Sequence, residues 1–372
     1  MRRLLVLGAG TAGTMVVNRL RRRLGDEWTV TVVDRSDRHI YQPGLVFLPF
    51  GPHTLRQVVR PRRPTLTAGV DLVYGDVDRV LADQNQVLLA DGRRLRYDYL
   101  VIATGVQPRP QHTPGMLDGG QWRRSIFDFY TYDGATALRR ALWGFTGGRL
   151  VVHVTDAPVK GPAAPLQLTL LVEAYLRSRG MRDQVELVYA TPLPAVSTSP
   201  VAARHLGALL DERKVAVETG LLVERVDDRT LVGRDGREVP FDLLVTVPLN
   251  MGADLVARSG LGDGRNLVPV DRHTLLSRAY PNIFALGDAN DLPAAKTVPA
   301  ARLAAEVLAG NLPRYARGEP ATGSFDSRAS LLEEARTSHR GGPALRWAYW
   351  NLLLPGRRVR PPAWMSDTRK HA

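Results

Sequence analysis

The sequence predicts an α/β protein: two Rossmann-like dinucleotide-binding domains followed by a membrane-associating C-terminal segment. Three observations predict it: a glycine loop that opens a helix directly after a buried strand, an internal repeat, and a basic, aromatic tail. The 372 residues are 44% apolar and 23% charged, which suits two or three globular domains and excludes collagen-like, disordered and multi-span membrane classes. No apolar run approaches the roughly 18 residues a spanning helix needs. Cysteine is absent. That zero excludes disulfides, thiolate zinc sites, cysteine-ligated iron–sulfur clusters and a cysteine nucleophile.

Residues 4–7 (Leu4, Leu5, Val6, Leu7) form a short continuous apolar run, as expected for a parallel strand buried on both faces. Gly8-Ala9-Gly10-Thr11-Ala12-Gly13 follows with G-x-G-x-x-G spacing, 15–23 continues with helical periodicity, and 29–33 reads as the next strand, ending at Asp34. Gly8 permits the tight turn, Gly10 lets the backbone approach a pyrophosphate, and Gly13 lets the helix pack close. The helix N-terminus supplies positive potential, and Asp34 is placed to accept from a ribose hydroxyl.

The repeat is visible within the chain itself. Asp91-Gly92-Arg93 through Asp98-Tyr99-Leu100-Val101 recurs 144 residues later, from Asp235-Gly236-Arg237 through Asp242-Leu243-Leu244-Val245, and both copies read as a hairpin feeding a core strand. A second strand–helix–strand unit runs through 149–154, 166–178 and 185–189. Its loop, residues 155–165, holds three prolines and one glycine. Proline has no N–H for a phosphate, so ordinary NAD(P) binding is not expected there.

Gly8 to Gly13, Asp34, Ala103-Thr104-Gly105 and Phe284-Ala285-Leu286-Gly287-Asp288 together resemble the two-dinucleotide-domain flavoproteins related to glutathione reductase. The resemblance implies FAD in the first half, with Asp288 against the ribitol. Within that superfamily the chain is similar, over nearly its whole length, to the sulfide:quinone oxidoreductase group. Tyr41-Gln42-Pro43-Gly44 resembles the group's Pro-Gly loop beside the flavin, Leu292-Pro293 with Lys296-Thr297 its segment after the Gly-Asp pair, and 347–357 a C-terminal pattern of one bacterial branch. The implied FAD contacts are Gly8, Gly10, Thr11, Ala12, Gly13, Asp34, Arg35, Gln42, Pro43, Val77, Ala103, Thr104, Gly105, Gly287, Asp288, Lys296 and Thr297. The implied organisation is a discontinuous FAD-binding domain of 1–108 and 269–318, a second Rossmann-like domain of 109–268, and a C-terminal amphipathic, basic segment of 319–372.

One departure is decisive for the chemistry. The group's Lys-Cys-Pro-Gly-Ala-Pro-like segment corresponds to Lys160-Gly161-Pro162-Ala163-Ala164-Pro165, so Gly161 stands at the cysteine position, and the partner cysteine expected between Phe325 and Glu334 is missing too. No thiolate is present to accept sulfane sulfur as a persulfide. The expectation is an FAD-dependent oxidoreductase that passes electrons to a quinone from another donor. Two alternatives stand beside it: an NAD(P)H-dependent flavin oxidoreductase, and a non-catalytic flavin-binding paralogue acting as a structural partner.

The catalytic residue is not identified by the sequence. Lys296 is a candidate for tuning the flavin from a helix start formed by Val298-Pro299-Ala300, and a solvated loop lysine is the competing reading. Eight histidines are dispersed without ligand spacing, so no metal site is expected. His153 falls on a buried strand and reads as a core histidine. Ser199-Pro200 reads as a helix cap.

The net charge is +13, and only Lys160, Lys214, Lys296 and Lys370 among the 50 cations are lysine. The arginines are scattered without a reading motif, so no nucleic-acid partner is expected. From Arg336 to Ala372 eight cations face Asp367 alone, a balance of +7. Trp347, Tyr349, Trp350 and Trp364 lie among Arg346, Arg357, Arg358 and Arg360, a pattern suited to an anionic membrane surface met by 346–364. The alternative use of this stretch is a packed helix or a homo-oligomer contact. The expected location is cytoplasmic, peripheral on the membrane.

Overall fold

The computed structural model describes residues 1–51 and 55–326. Its contacts divide the chain into two units: Met1–Tyr41 with Val59–Gln107 and the described residues from Met251 on, and Gln42–Val58 with Pro108–Asn250.

The first unit is built on a five-stranded sheet. Its order is Ile283–Ala285, Tyr99–Ile102, Arg2–Leu7, Trp28–Asp34, Val70–Tyr74, with every neighbouring pair parallel. Arg2–Leu7 is central, and its run of leucines and valine is at most 2% exposed, the burial expected of the middle strand of a parallel sheet. The chain reverses direction across the sheet between Arg2–Leu7 and Tyr99–Ile102. The carboxyl ends of these two strands therefore form the crevice where doubly wound sheets bind ligands. Helix Thr11–Arg23 packs against helix Val298–Ala316, whose Ala301, Ala304, Ala305 and Ala309 are buried and let the two backbones approach. Thr297 caps the second helix through its hydroxyl, which accepts from Ala300 N at 3.4 Å, and Pro299 lies in the first turn. An antiparallel meander, Val77–Leu81, Gln86–Leu89 and Arg94–Arg96, completes the unit, with the short helix Asp254–Arg258 against its first strand.

The second unit repeats this plan. Its all-parallel sheet has the order Ile126–Phe127, Leu243–Val247, Gly148–Val154, Val185–Ala190, Ala216–Glu218, with a meander of Val223–Asp227, Thr230–Gly233 and Glu238–Pro240. Here the outermost strand beside Leu243–Val247 comes early in the chain, whereas its counterpart in the first unit comes late. The apolar turn Leu48–Phe50 packs on helices Tyr132–Gly144 and Ala164–Ser178.

The sequence repeat is a repeat of hydrogen bonds. Arg93 donates from N and Nε to Asp91 at 3.0 and 2.7 Å, and Arg237 does the same to Asp235 at 3.1 and 2.7 Å. Gly92 and Gly236 hold φ of 88° and 82°, the left-handed turn position that favours glycine. Asp98 accepts from Arg3 N at 2.6 Å, as Asp242 accepts from Arg149 N at 2.7 Å. Each aspartate so ties the start of a core strand to the start of its central neighbour.

The tail stretch 346–364 lies outside the described residues. Among the described residues no helix is long and apolar enough to cross a membrane.

Candidate functional site

The crevice of the first unit is lined by the glycine loop. Gly8 has φ of 92°, and a Cβ there would stand 2.6 Å from Ala103 O; a Cβ on Gly13 would stand 1.8 Å from Gly8 O. Both glycines are required by the protein's own packing. Gly10 differs, since a Cβ on it would meet nothing within 4 Å. The protein leaves that space open at the N-cap of helix Thr11–Arg23, which has no side-chain cap and no acid in its first turn. Its amides and dipole are therefore available to an anion.

Asp34 ends the second strand. Its Oδ2 accepts from Ala9 N at 2.8 Å and its Oδ1 from Ser36 N at 3.3 Å, and the guanidinium of Arg62 lies 3.1 Å from Oδ1. Arg62 is 4% exposed and donates to Ala9 O, to Ser36 O at 2.8 Å and to Arg38 O at 2.7 Å. His39 is buried beside it; burial first, then the positive guanidinium, pushes its pKa down to about 3, so the ring is neutral. Neither Arg62 nor His39 is singled out by the sequence.

Ala103, Thr104 and Gly105 follow strand Tyr99–Ile102, and Ala103 N donates to Leu7 O at 2.8 Å. Among the described residues the buried hydroxyl of Thr104 has no hydrogen-bond partner, an orphaned polar atom at the switch point itself. Gly287 and Asp288 form a turn seated on the loop helix: Gly287 has φ of 67°, and a Cβ on it would lie 2.8 Å from the Cβ of Ala12. Asp288, Lys296 and Thr297 line one narrow pocket with Ala300, Ala301 and Phe325. Lys296 is half-buried, and its ammonium donates to Asn290 O at 2.7 Å and approaches Asn290 Oδ1 at 3.3 Å. Burial lowers its pKa, opposed by Asp288, Asp291 and Asp263. It is therefore a tethered group rather than a solvated loop lysine.

Arg35 is exposed beside Asp34, and Val77 opens the meander. Gln42 and Pro43 belong to the second unit, as does Gly161. Gly161 has φ of 56°; its carbonyl accepts from Ala164 N at 2.8 Å and from the Tyr130 hydroxyl at 3.4 Å. Register shows what the second unit has lost. Leu7 pairs with Val33 and Ile102, and at the same places His153 pairs with Ala190 and Thr246. The residue matching Asp34 is thus Thr191, whose hydroxyl accepts from Leu193 N at 3.3 Å. His153 is fully buried, with Nδ1 3.0 Å from the Thr246 hydroxyl and, among the described residues, no partner for Nε2. Burial alone pushes its pKa down to about 3. Among the described residues no group of three or more His, Cys, Asp or Glu is placed to hold a metal ion.

The first unit therefore fits a dinucleotide by an open Gly10, an uncapped helix start, an orphaned Thr104 hydroxyl and a carboxylate at the second strand's end. The second unit has a proline-rich loop and a threonine at the corresponding places.

Residues 2–152 match the family model described as pyridine nucleotide-disulphide oxidoreductase. The chain is 30% identical over 312 residues to the mitochondrial sulfide:quinone oxidoreductase of Mus musculus, covering 82% of this chain and 69% of that protein. It is also 30% identical over 321 residues to the NADH dehydrogenase-like protein Rv1812c of Mycobacterium tuberculosis, covering 77% and 72%. The crystal structure of the sulfide:quinone oxidoreductase from Aquifex aeolicus superimposes with a TM-score of 0.78 at 20% identity, covering 86% of this chain and 78% of that one, a likeness of fold.

Proposed function

The chain belongs to the sulfide:quinone oxidoreductase family of FAD-dependent oxidoreductases, and on that premise we propose that it passes electrons through FAD to a quinone from a donor that needs no enzyme thiol. FAD, when bound, supplies the two-electron redox chemistry. The chain's own residues hold it. In this reading Gly10 and the amides of helix Thr11–Arg23 receive the pyrophosphate, Asp34 the ribose, and Asp288 the ribitol, with Lys296 and the start of helix Val298–Ala316 placing positive potential in the pocket shared with Asp288.

The observation that carries the reading is the contrast between the two sheets. The first has an open Gly10, a helix start without a side-chain cap and Asp34 at its second strand's end; the second has Thr191 at the acid's place and a loop of prolines where amide donors would be. That contrast disfavours nicotinamide as donor. The absence of cysteine, with Gly161 at the family position, disfavours persulfide formation from sulfide.

We also propose that the tail 346–364 holds the protein to an anionic membrane from the cytoplasmic side. Phe325, near the end of the described chain, lines the pocket of Asp288 and Lys296, and the +7 stretch follows it in sequence from Arg336.

Anaerobic mixing of the photoreduced flavoprotein with a short-chain quinone tests the acceptor without knowledge of the donor. The quinone should reoxidise the reduced chromophore, whereas NADH, NADPH and sulfide should not bleach the oxidised one on that timescale. Rapid bleaching by NADH or NADPH would select the nicotinamide-dependent alternative. A chromophore that none of these reagents cycles would select the non-catalytic one.

A further inference from the structure

The peptide of Ala9, inside the glycine loop, is gripped on both sides. Its N–H donates to Asp34 Oδ2 at 2.8 Å, and its carbonyl accepts from Arg62 and from the Thr14 hydroxyl at 2.9 Å, with the ring of His39 hydrogen-bonded to the same residue's backbone. Arg62 joins these contacts. From one buried guanidinium it reaches Ala9 in the loop after the first strand, Ser36 in the loop after the second and Arg38 at the start of the short strand Arg38–Ile40, while pairing with Asp34.

Arg62 is itself held rigidly. Its N–H donates to Asp37 O at 2.7 Å, its carbonyl accepts from the Thr65 hydroxyl at 2.7 Å, and Pro61 and Pro64 flank the Arg62–Arg63 pair. The planar fork of a guanidinium can serve several acceptors in one plane; an ammonium cannot reproduce that geometry. A glycine loop that must present amides to a phosphate loses affinity if it first has to be ordered, since that ordering is subtracted from binding.

We propose that Arg62 is a positioning residue for the dinucleotide: by clasping Ala9 and Asp34 it holds the glycine loop and the ribose-binding carboxylate in their ligand-ready arrangement before the ligand arrives. The proposal rests on the FAD reading for its ligand, and its geometry stands on the loop alone. It assigns Arg62 no contact with the flavin.

The test uses the full chain and three variants: Arg62→Lys, Arg62→Gln, and Arg62→Gln with Asp34→Asn, the last leaving no unpaired buried charge. Hydrogen exchange of the peptides covering 8–14 should speed up in each variant, while the core strands Arg2–Leu7 and Tyr99–Ile102 keep their protection. Release of FAD on dilution should quicken by about ten- to a hundredfold, the scale of one charge-assisted hydrogen bond, and lysine should not rescue it. Unchanged loop exchange and unchanged FAD release in Arg62→Lys would overturn the proposal. So would loss of protection throughout the first unit, which would make Arg62 a residue of the fold rather than of the loop. A wild-type protein that binds no FAD would instead sink the cofactor reading, and the exchange measurement would still decide the clasp.

Discussion

Gly287 is seated on Ala12, so that a Cβ on the former would stand 2.8 Å from the Cβ of the latter. The two residues belong to motifs far apart in sequence, the glycine loop and the Gly-Asp turn, and this approach brings the turn that carries Asp288 onto the start of the loop helix.

Gly287→Val should be costly for two reasons that add. The position has φ of 67°, where a side chain costs about 1–2 kcal/mol from the backbone alone, and the added carbons must also push Ala12 away. Thermal melting should fall and the purified protein should carry less FAD. A variant with wild-type melting and full cofactor content would show that the contact is not needed.

His153 and Thr246 occupy the places that Leu7 and Ile102 hold in the first unit, and this exchange has a pH consequence. Burial depresses the His153 pKa to about 3 from an unfolded value of about 6.5. Its contribution is therefore fully present above about pH 6.5 and is lost as pH falls toward the folded value, at roughly 1.4 kcal/mol per pH unit. His39 adds a parallel dependence, since its pKa is likewise about 3. Replacing His153→Leu together with Thr246→Val should remove one of the two slopes. Denaturant titrations between about pH 6.5 and 5 measure it, and an unaltered slope would contradict the assignment.

Much of this site was legible in the sequence because its demands fall on glycine and on strand ends. Gly8, Gly13 and Asp34 announce themselves by spacing, Gly287 through the resemblance of its Gly-Asp pair to a flavoprotein motif, and the second unit was readable through Asp91, Asp98 and their copies at Asp235 and Asp242. Arg62 was not legible. One arginine between prolines carries no pattern in a chain where 46 of 50 cations are arginine, and its partners are mostly backbone carbonyls, which a sequence does not display. His39 was hidden for the same reason, since its neutrality comes from burial against Arg62. The packing of Leu48–Phe50 on the helices of the second unit was equally invisible, because an apolar run does not state which core it enters.

Attachment through the tail should be mainly electrostatic. Residues 347–354 are long enough for only about two helical turns, and at about 1 kcal/mol per cation near an anionic surface the arginines supply much of the hold. Sedimentation with anionic vesicles should bring down the full chain at low salt, less of it as salt is raised, and almost none after deletion from Arg346 onward, while FAD content survives that deletion. Full-length protein that stays in the supernatant at low salt would favour a packed helix or an oligomer contact.

The visible spectrum of the purified protein tests the central claim most directly, with Gly10→Val measured alongside. The wild-type chain should show flavin absorbance, release FAD on heat denaturation, and do so at one FAD per chain, while Gly10→Val should be colourless yet fold, because a Cβ at that position meets nothing in the protein within 4 Å. A wild-type protein that is colourless and takes up no added FAD would contradict the account.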